Sequence, residues 1–439
     1  MSSDHAGASS GHLRRVLGLG FGLSVIVGGT IGTGILRTPG LVATQLPNAT
    51  TILAAWIIGG LYTLLGSVCL TELGTSVPGT GGYYLYARRA LGDWMGFAVG
   101  WTDWLTYCLV LGYVSIAIAE FIGVLVPSLA GLTTTVAVLA LVLFMSLQFA
   151  GVRISGRFQE ITTVLKFAAF VALIAACLLL PVQHGGGTIG TVVPGGMTLI
   201  GIIAALQAII VTYGGWQAAL YFTDEDRDPA RNLPRSMIGG VLAVIAVYVL
   251  VNVALLAVLS IPELAASTLP ASDAATRVLG DRGGRVITLL SILTLIPLLN
   301  AIVMIGTRIF FGMGQDGLLW RGAAALSARG TPSVATLVTT VVALALIASG
   351  TFKTLIAMTS FFLAFNYCVS CVALIVLRRR EPNLARPFRA WGYPWSAWIV
   401  LVVAAVFVGT ATIGDWSNSR NALGLLALGL AGRAIAKWR

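Results

Sequence analysis

Runs of about 18 or more apolar residues recur along the whole chain, separated by short loops, and each is long enough to cross roughly 30 Å of hydrocarbon as a helix. Only helices and closed barrels satisfy their backbone polar groups in lipid. Barrels are excluded, because their strands alternate apolar and polar residues over about ten positions and no such alternation is present. A water-soluble fold is excluded by surface chemistry. Hydrophobic residues make up 57% of the chain and charged residues 10%, against about 25% charged in a soluble domain.

The runs lie near 16–43, 49–73, 93–122, 131–151, 155–181 and 197–222, then near 235–260, 285–313, 332–350, 353–377, 395–414 and 420–437. The expectation is an all-α integral membrane protein of about twelve transmembrane helices. The net charge of +11 does not indicate nucleic acid, since the basic residues are scattered in short loops and form no patch interleaved with aromatics. Their distribution sets orientation instead. Twenty Lys and Arg residues fall on one side of the predicted membrane and six on the other, with Lys166 left inside a run. That asymmetry places both termini in the cytoplasm and the protein in the cell (inner or plasma) membrane. Residues 1–15 read as a short polar cytoplasmic tail without the layout of a cleaved signal peptide. Residues 83–90 read as a short amphipathic helix at the inner interface. Cys69, Cys108, Cys177, Cys368 and Cys371 all fall in apolar runs, so no external disulfide framework is expected.

Two runs break the rules of helix composition. In the first, Gly28-Gly29-Thr30-Ile31-Gly32-Thr33-Gly34 puts four glycines into seven residues near mid-membrane. In the sixth, Tyr213-Gly214-Gly215-Trp216 does the same less severely. Each mid-helix glycine costs about 0.5–1 kcal/mol relative to alanine, and backbone left unsatisfied in lipid costs several more per group. Close helix packing through small residues is the competing explanation. A dense cluster in one run and a second in another fits unwound segments lining a cavity better. The first break opens residues 16–181 and the second opens 197–377, so the interrupted helices begin two successive five-helix units, with 395–437 following as helices eleven and twelve. Five is odd, so the second unit enters from the opposite side and the repeats are inverted. Interrupted segments at matching positions of two halves point to a transporter's substrate site.

An unwound helix exposes groups of both signs. The half-helix starting at Gly32–Gly34 directs free N–H groups and the positive end of its dipole at the cavity, which suits a carboxylate. The half-helices ending before the breaks offer carbonyls, which suit an ammonium group. An α-amino acid satisfies both sets at once, as would other small zwitterions.

The stretch Gly29-Thr30-Ile31-Gly32-Thr33-Gly34-Ile35 resembles the first-helix motif of the amino acid–polyamine–organocation superfamily. Tyr213-Gly214-Gly215-Trp216, then Phe222-Thr223-Asp224-Glu225, then Asp228-Pro229-Ala230-Arg231-Asn232-Leu233-Pro234-Arg235, resemble the L-type amino acid transporter branch and its bacterial relatives. Gly74, Pro78-Gly79-Thr80-Gly81-Gly82-Tyr83 and Gly151-Val152-Arg153 also fit. The resemblance implies a leucine-transporter-type five-plus-five fold and a secondary carrier, a permease or exchanger, moving L-amino acids by alternating access. It implies that the hydroxyl and amide of Thr33 and the amide of Gly34 hold the substrate carboxylate. It gives the ammonium to the carbonyls of Thr30, Val211 and Gly214, and places Gly32, Trp216 and Gln217 in the same site. Gln217 stands where the branch often has Asn, and Val211 where an aromatic gating residue is usual. Animal L-type proteins join a heavy chain through a cysteine after the third helix. Residues 123–132 contain none, so no heavy-chain subunit is expected.

Four acidic or basic residues inside or beside the runs complete the reading. Lys166 lies about eleven residues past the cytoplasmic end of its run, or ~16 Å deep at ~1.5 Å per residue. It is either a snorkelling side chain or a buried ammonium; by resemblance it replaces the sodium ion that sodium-coupled members hold between helices one, five and eight. Asp103 lies about ten residues into the third run and is the second coupling candidate. Glu120 is near the outer interface, and Glu72 reads as structural. With no carboxylate near the predicted site except Asp103, neutral amino acids are expected, the alternative being a cationic amino acid or polyamine antiporter of the same superfamily.

Several motifs fail their context. Gly312–Gly317 matches GxGxxG but closes a membrane helix instead of following a strand. Cys368-Val369-Ser370-Cys371 is embedded in an apolar run. Asn48-Ala49-Thr50 is a glycosylation triplet of meaning only in a eukaryotic secretory setting. No Gly-Lys pair exists, hence no P-loop, and His5, His12 and His184 all lie outside the runs. No cofactor, metal or catalytic residue is expected. A channel would need a continuous polar lining, and an intramembrane enzyme a clustered set of reacting groups; neither is apparent.

Overall fold

The computed structural model describes residues 15–182, 197–327, 330–349 and 352–437. Residues 1–14, with His5, His12 and Arg14, lie outside the described residues, as do His184 and, of the charge count, Arg329 and Arg439. Regular structure among the described residues is helical throughout.

The first run forms two helices, α1 (Leu19–Thr30) and α2 (Gly34–Ala43), set at 46° to each other. The next spans are α3 (Ala49–Ser76), the short α4 (Tyr83–Leu91), α5 (Asp93–Leu125), α6 (Thr133–Gln148) and α7 (Val152–Leu179). The sixth run gives α8 (Leu199–Thr212) and, past the second glycine pair, a 3₁₀ segment Trp216–Phe222. Then come α9 (Pro229–Val258), the short α10 (Ile261–Ala266) and α11 (Pro270–Leu279), and α12 (Gly283–Gln315). The chain finishes with α13 (Ser333–Ser349), α14 (Phe352–Arg380), α15 (Trp395–Gly414) and α16 (Trp416–Lys437). Among the described residues nine helices are long and apolar enough to cross a membrane, and the bent pair α1–α2 makes a tenth. The remaining two expected spans, α13 and α16, are helical without meeting that standard.

Apolar side chains cannot by themselves hold helices together in lipid, because the hydrocarbon solvates them equally well; packing and buried polar contacts decide which faces meet. Here α5, α12 and α14 are buried along most of their length. By contrast α6 and α15 expose large apolar residues such as Leu143 and Val406. Buried charge marks one end of the bundle. Glu72, 1% exposed, accepts from Arg378 at 2.5 Å and from the amide of Ala390 at 2.6 Å, and pairs with Arg386 at 3.2 Å. Glu225 pairs with Arg308, whose guanidinium also donates to the Met304 carbonyl at 2.8 Å.

Helix α4 departs from the interfacial reading. Tyr83, Tyr84, Tyr86, Ala87 and Ala90 are buried against the neighbouring helices, while Arg88 and Arg89 pair with Asp93 and Glu381. Its apolar face rests on protein instead of lipid, an outcome that an amphipathic pattern alone does not distinguish. Glu120 is exposed, and Asn48 caps α3 by accepting from the Thr51 amide at 2.8 Å.

Candidate functional site: a cavity between two interrupted helices

The two breaks meet at the centre of the bundle. Gly215 adopts φ +113°, a left-handed conformation that glycine takes without penalty, and a Cβ there would lie 2.4 Å from the Gly29 carbonyl oxygen. Glycine at 215 therefore lets the second break lie directly on the first. Gly34 is similarly close to α8: an added Cβ would meet Thr212 Cγ2 at 3.2 Å. Thr38 Oγ1 and Thr212 Oγ1, 2.8 Å apart, tie α2 to α8. The Tyr248 hydroxyl lies 3.0 Å from the carbonyls of both Thr30 and Thr212, the last residues of the two half-helices.

A cavity of about 490 Å3 opens at this junction, lined by α2, α5, α8 and α12 as well as by both breaks. That volume is within the range of small-molecule sites. Of the predicted binding residues, Thr30, Gly32, Thr33, Gly34, Val211, Gly214 and Gln217 line it. The Thr33 hydroxyl makes no capping bond to α2, and the first N–H groups of a helix have no intrahelical partner, so the Gly34 end presents donors to the cavity. Thr30 Oγ1 is buried with no partner among the described residues. Gln217 is held in place: it donates to the Tyr107 hydroxyl at 3.4 Å and accepts from Tyr367 at 3.2 Å and the Gly215 amide at 3.3 Å.

Trp216 is the exception. It does not line the cavity; its ring packs 5.5 Å from Tyr367 and against Gly66 of α3. The physical reason is the 3₁₀ geometry after Gly215, where three residues per turn separate successive side chains by about 120°. Gln217 faces the cavity, and Trp216 is rotated away from it.

Lys166 is completely buried. Its ammonium donates to the Gly28 carbonyl at 2.8 Å and to the Ile31 carbonyl. A cation at the C-terminal end of α1 offsets the negative pole of that half-helix, so snorkelling is ruled out. Among the described residues it makes no ion pair. The predicted three-helix junction has a different construction from a single bridging charge. Lys166 joins α7 to α1, while α12 is reached about two turns away along α7, where Asn300 donates to Gln159 at 2.9 Å and Gln159 donates to the Ser24 carbonyl at 3.3 Å. Lys166 and Tyr248 occupy carbonyls of the first break, although Thr30 keeps one lone pair after accepting from Tyr248.

Asp103 is 1% exposed and lies outside the cavity lining. Both its oxygens accept from the Tyr221 hydroxyl, at 2.9 and 3.1 Å, behind a layer formed by Tyr107 and Tyr221 with ring centroids 5.5 Å apart. Below that layer the bundle is shut. Leu17 and Asp226 form a backbone bridge, with the Leu17 amide donating to the Glu225 carbonyl at 2.9 Å, and the buried Glu225–Arg308 pair lies alongside. Above it the cavity continues past Arg37, Leu41 and Ala117. The site is thus closed toward the start of α1 and extends toward the end of α2. Among the described residues no group of three His, Cys, Asp or Glu is arranged to hold a metal.

Sequence reasoning missed Tyr107, Thr38, Thr212, Tyr248 and Arg37. Tyr248 had a usable signal: it is the lone aromatic in an aliphatic span.

A central solute site between two interrupted helices, closed at one end, defines a multi-pass membrane carrier. The chain belongs to the amino acid permease family, which residues 21–428 match. Its similar proteins include the serine/threonine exchanger SteT of Bacillus subtilis, 29% identical over 96% of both chains. The human b(0,+)-type amino acid transporter 1 is 27% identical, covering 91% of this chain and 83% of that one. The human large neutral amino acids transporter small subunit 2 is 29% identical, covering 88% and 75%. The all-helical fold and the expected amino acid carrier stand with these relatives.

Proposed function

We propose that the protein moves small neutral L-amino acids across the cell membrane by alternating access, without sodium and without enzymatic activity. The observation that carries this reading is the central cavity at which donors from the start of α2 face carbonyls from the ends of α1 and α8, with no carboxylate among its lining residues. Thr33 and Gly34 would hold the substrate carboxylate; the carbonyls of Thr30, Val211 and Gly214 would take the ammonium, and Gly32 leaves room for both. The apolar wall, including Val110, Val211, Leu298 and Ile302, suits an uncharged side chain. A polyamine or cationic amino acid would want an accessible carboxylate, and Asp103 is sealed behind tyrosines.

Sodium independence follows from Lys166, whose ammonium already holds the carbonyl end of α1 that a metal ion would otherwise organise. In this reading the units 16–181 and 197–377 rock around the site, with 395–437 outside the moving pair. Both termini lie in the cytoplasm, as the twenty-to-six charge asymmetry supports. The absence of cysteine in 123–132 supports a single chain working without a heavy-chain partner. Purified protein in liposomes tests the whole reading. Counterflow of labelled alanine, unaffected by an imposed sodium gradient and competed by serine or leucine more strongly than by arginine or putrescine, is the expected result. Strict sodium dependence, ion current without exchange, or preference for arginine overturns it.

A further inference from the structure

Gly34, Arg37, Thr38 and Leu41 all line the cavity. Their spacing of three, four and seven residues from Gly34 is that of one face of a helix, so Arg37 sits one turn of α2 outward from the amide end that the proposed function gives to the substrate carboxylate. It is the one charged residue in the lining among the described residues. Its guanidinium lies 5.6 Å from the centre of the Phe121 ring and makes no ion pair among the described residues; Glu120, the neighbour of Phe121, is exposed and likewise unpaired. An aromatic face retains a guanidinium by cation–π attraction without neutralising it. The charge therefore stays active toward whatever passes through the open end of the cavity, where apolar walls focus its field.

We infer that Arg37 is a charge filter at the open end of the site, disfavouring amino acids with cationic side chains and tolerating neutral or acidic ones. This rests on the proposed amino acid substrate and deepens it, because the lining otherwise excludes cations only by lacking a carboxylate. Like unit charges several ångströms apart in a partly wet, low-dielectric setting change binding by about tenfold or more. The effect weakens as salt shortens the ~8–10 Å screening length of ordinary buffers.

The test is competition by lysine, glutamate and alanine against labelled alanine uptake in proteoliposomes, for the wild type, Arg37→Gln and Arg37→Lys. In Arg37→Gln, lysine should gain about tenfold relative to alanine and glutamate should lose ground, whereas Arg37→Lys should keep the wild-type order. In the wild type alone, raising ionic strength should narrow the gap between lysine and alanine, a readout that needs no variant to fold. An unchanged lysine-to-alanine ratio in a transporting Arg37→Gln protein, or a gap in the wild type that salt does not move, overturns the filter alone. Failure of the wild type to take up alanine overturns the substrate class, and the filter with it.

Discussion

The two interrupted helices open the membrane interior in different ways. At the first break, α-helix stands on both sides and the axis turns by 46°. The negative end of α1 is buried against a lysine, Lys166 Nζ on the Gly28 and Ile31 carbonyls, and the positive end of α2 is left facing the cavity. At the second break α8 ends on neutral partners: the Tyr248 hydroxyl on Thr212, and a left-handed Gly215 that redirects the chain into a 3₁₀ segment. The first break is thus polarised and the second is not. Two glycine clusters that look alike in composition supply different chemistry, since an exposed helix N-terminus binds anions and a 3₁₀ turn mainly repositions side chains.

The sharpest way to break this comparison is at the glycines. Gly215→Ala should abolish transport and lower thermal stability, because an L-residue pays about 1–2 kcal/mol for the left-handed conformation before its Cβ meets the Gly29 oxygen at 2.4 Å. Gly32→Ala in the first break would bring its Cβ only to 3.5 Å from Leu298. Its melting temperature in detergent should stay near that of the wild type. Equal destabilisation of the two variants would remove the distinction.

Lys166→Ala ranks next. It strands the Gly28 and Ile31 carbonyls in a dry interior at about 1–3 kcal/mol for each unsatisfied group, so uptake should fall to background. Lys166→Arg should also be impaired, since a planar fork does not replace a compact ammonium in a closed site. Normal uptake in either would show that the first break is not charge-supported.

Thr33→Val tests the polarised end itself. It keeps the side-chain shape, and apparent substrate affinity should weaken by about 1–3 kcal/mol if the hydroxyl bonds a carboxylate. A concentration series of uptake reads this directly, and an unchanged half-saturation value would free Thr33 from the site. The smallest effect is expected for Tyr248→Phe. One phenolic proton is shared between Thr30 and Thr212, so its loss should cost about 1 kcal/mol, visible as a lower melting temperature and slower counterflow with little change in affinity.

Much of this molecule was legible in sequence because it follows from local composition. Length and apolarity place the spans, and four glycines in seven residues mark the first break. A lysine deep in an apolar helix announces an unusual contact. The contacts themselves were not legible. Thr38 and Thr212 are 174 positions apart, and Tyr248 lies 218 positions from the Thr30 carbonyl it binds. Nothing in the local sequence around Trp216 shows that a 3₁₀ turn hands the cavity to Gln217. Arg37 is by sequence one of the six charges on the outer side; only the start of α2 at Gly34 sets it on the face that lines the open end of the cavity.

What the sequence determined by itself is the class of solution: a chain with too few polar residues to cover a water-facing surface must bury its backbone in membrane helices, and glycine clusters must interrupt two of them. Which interrupted end is charged, which aromatic joins the two, and which side chains the cavity receives were decided only in the tertiary structure. The reason is physical. Backbone hydrogen bonding is satisfied within a segment and so is written locally. Helix association in lipid depends on packing and on polar contacts between distant segments, so it is specified only when those faces are brought together.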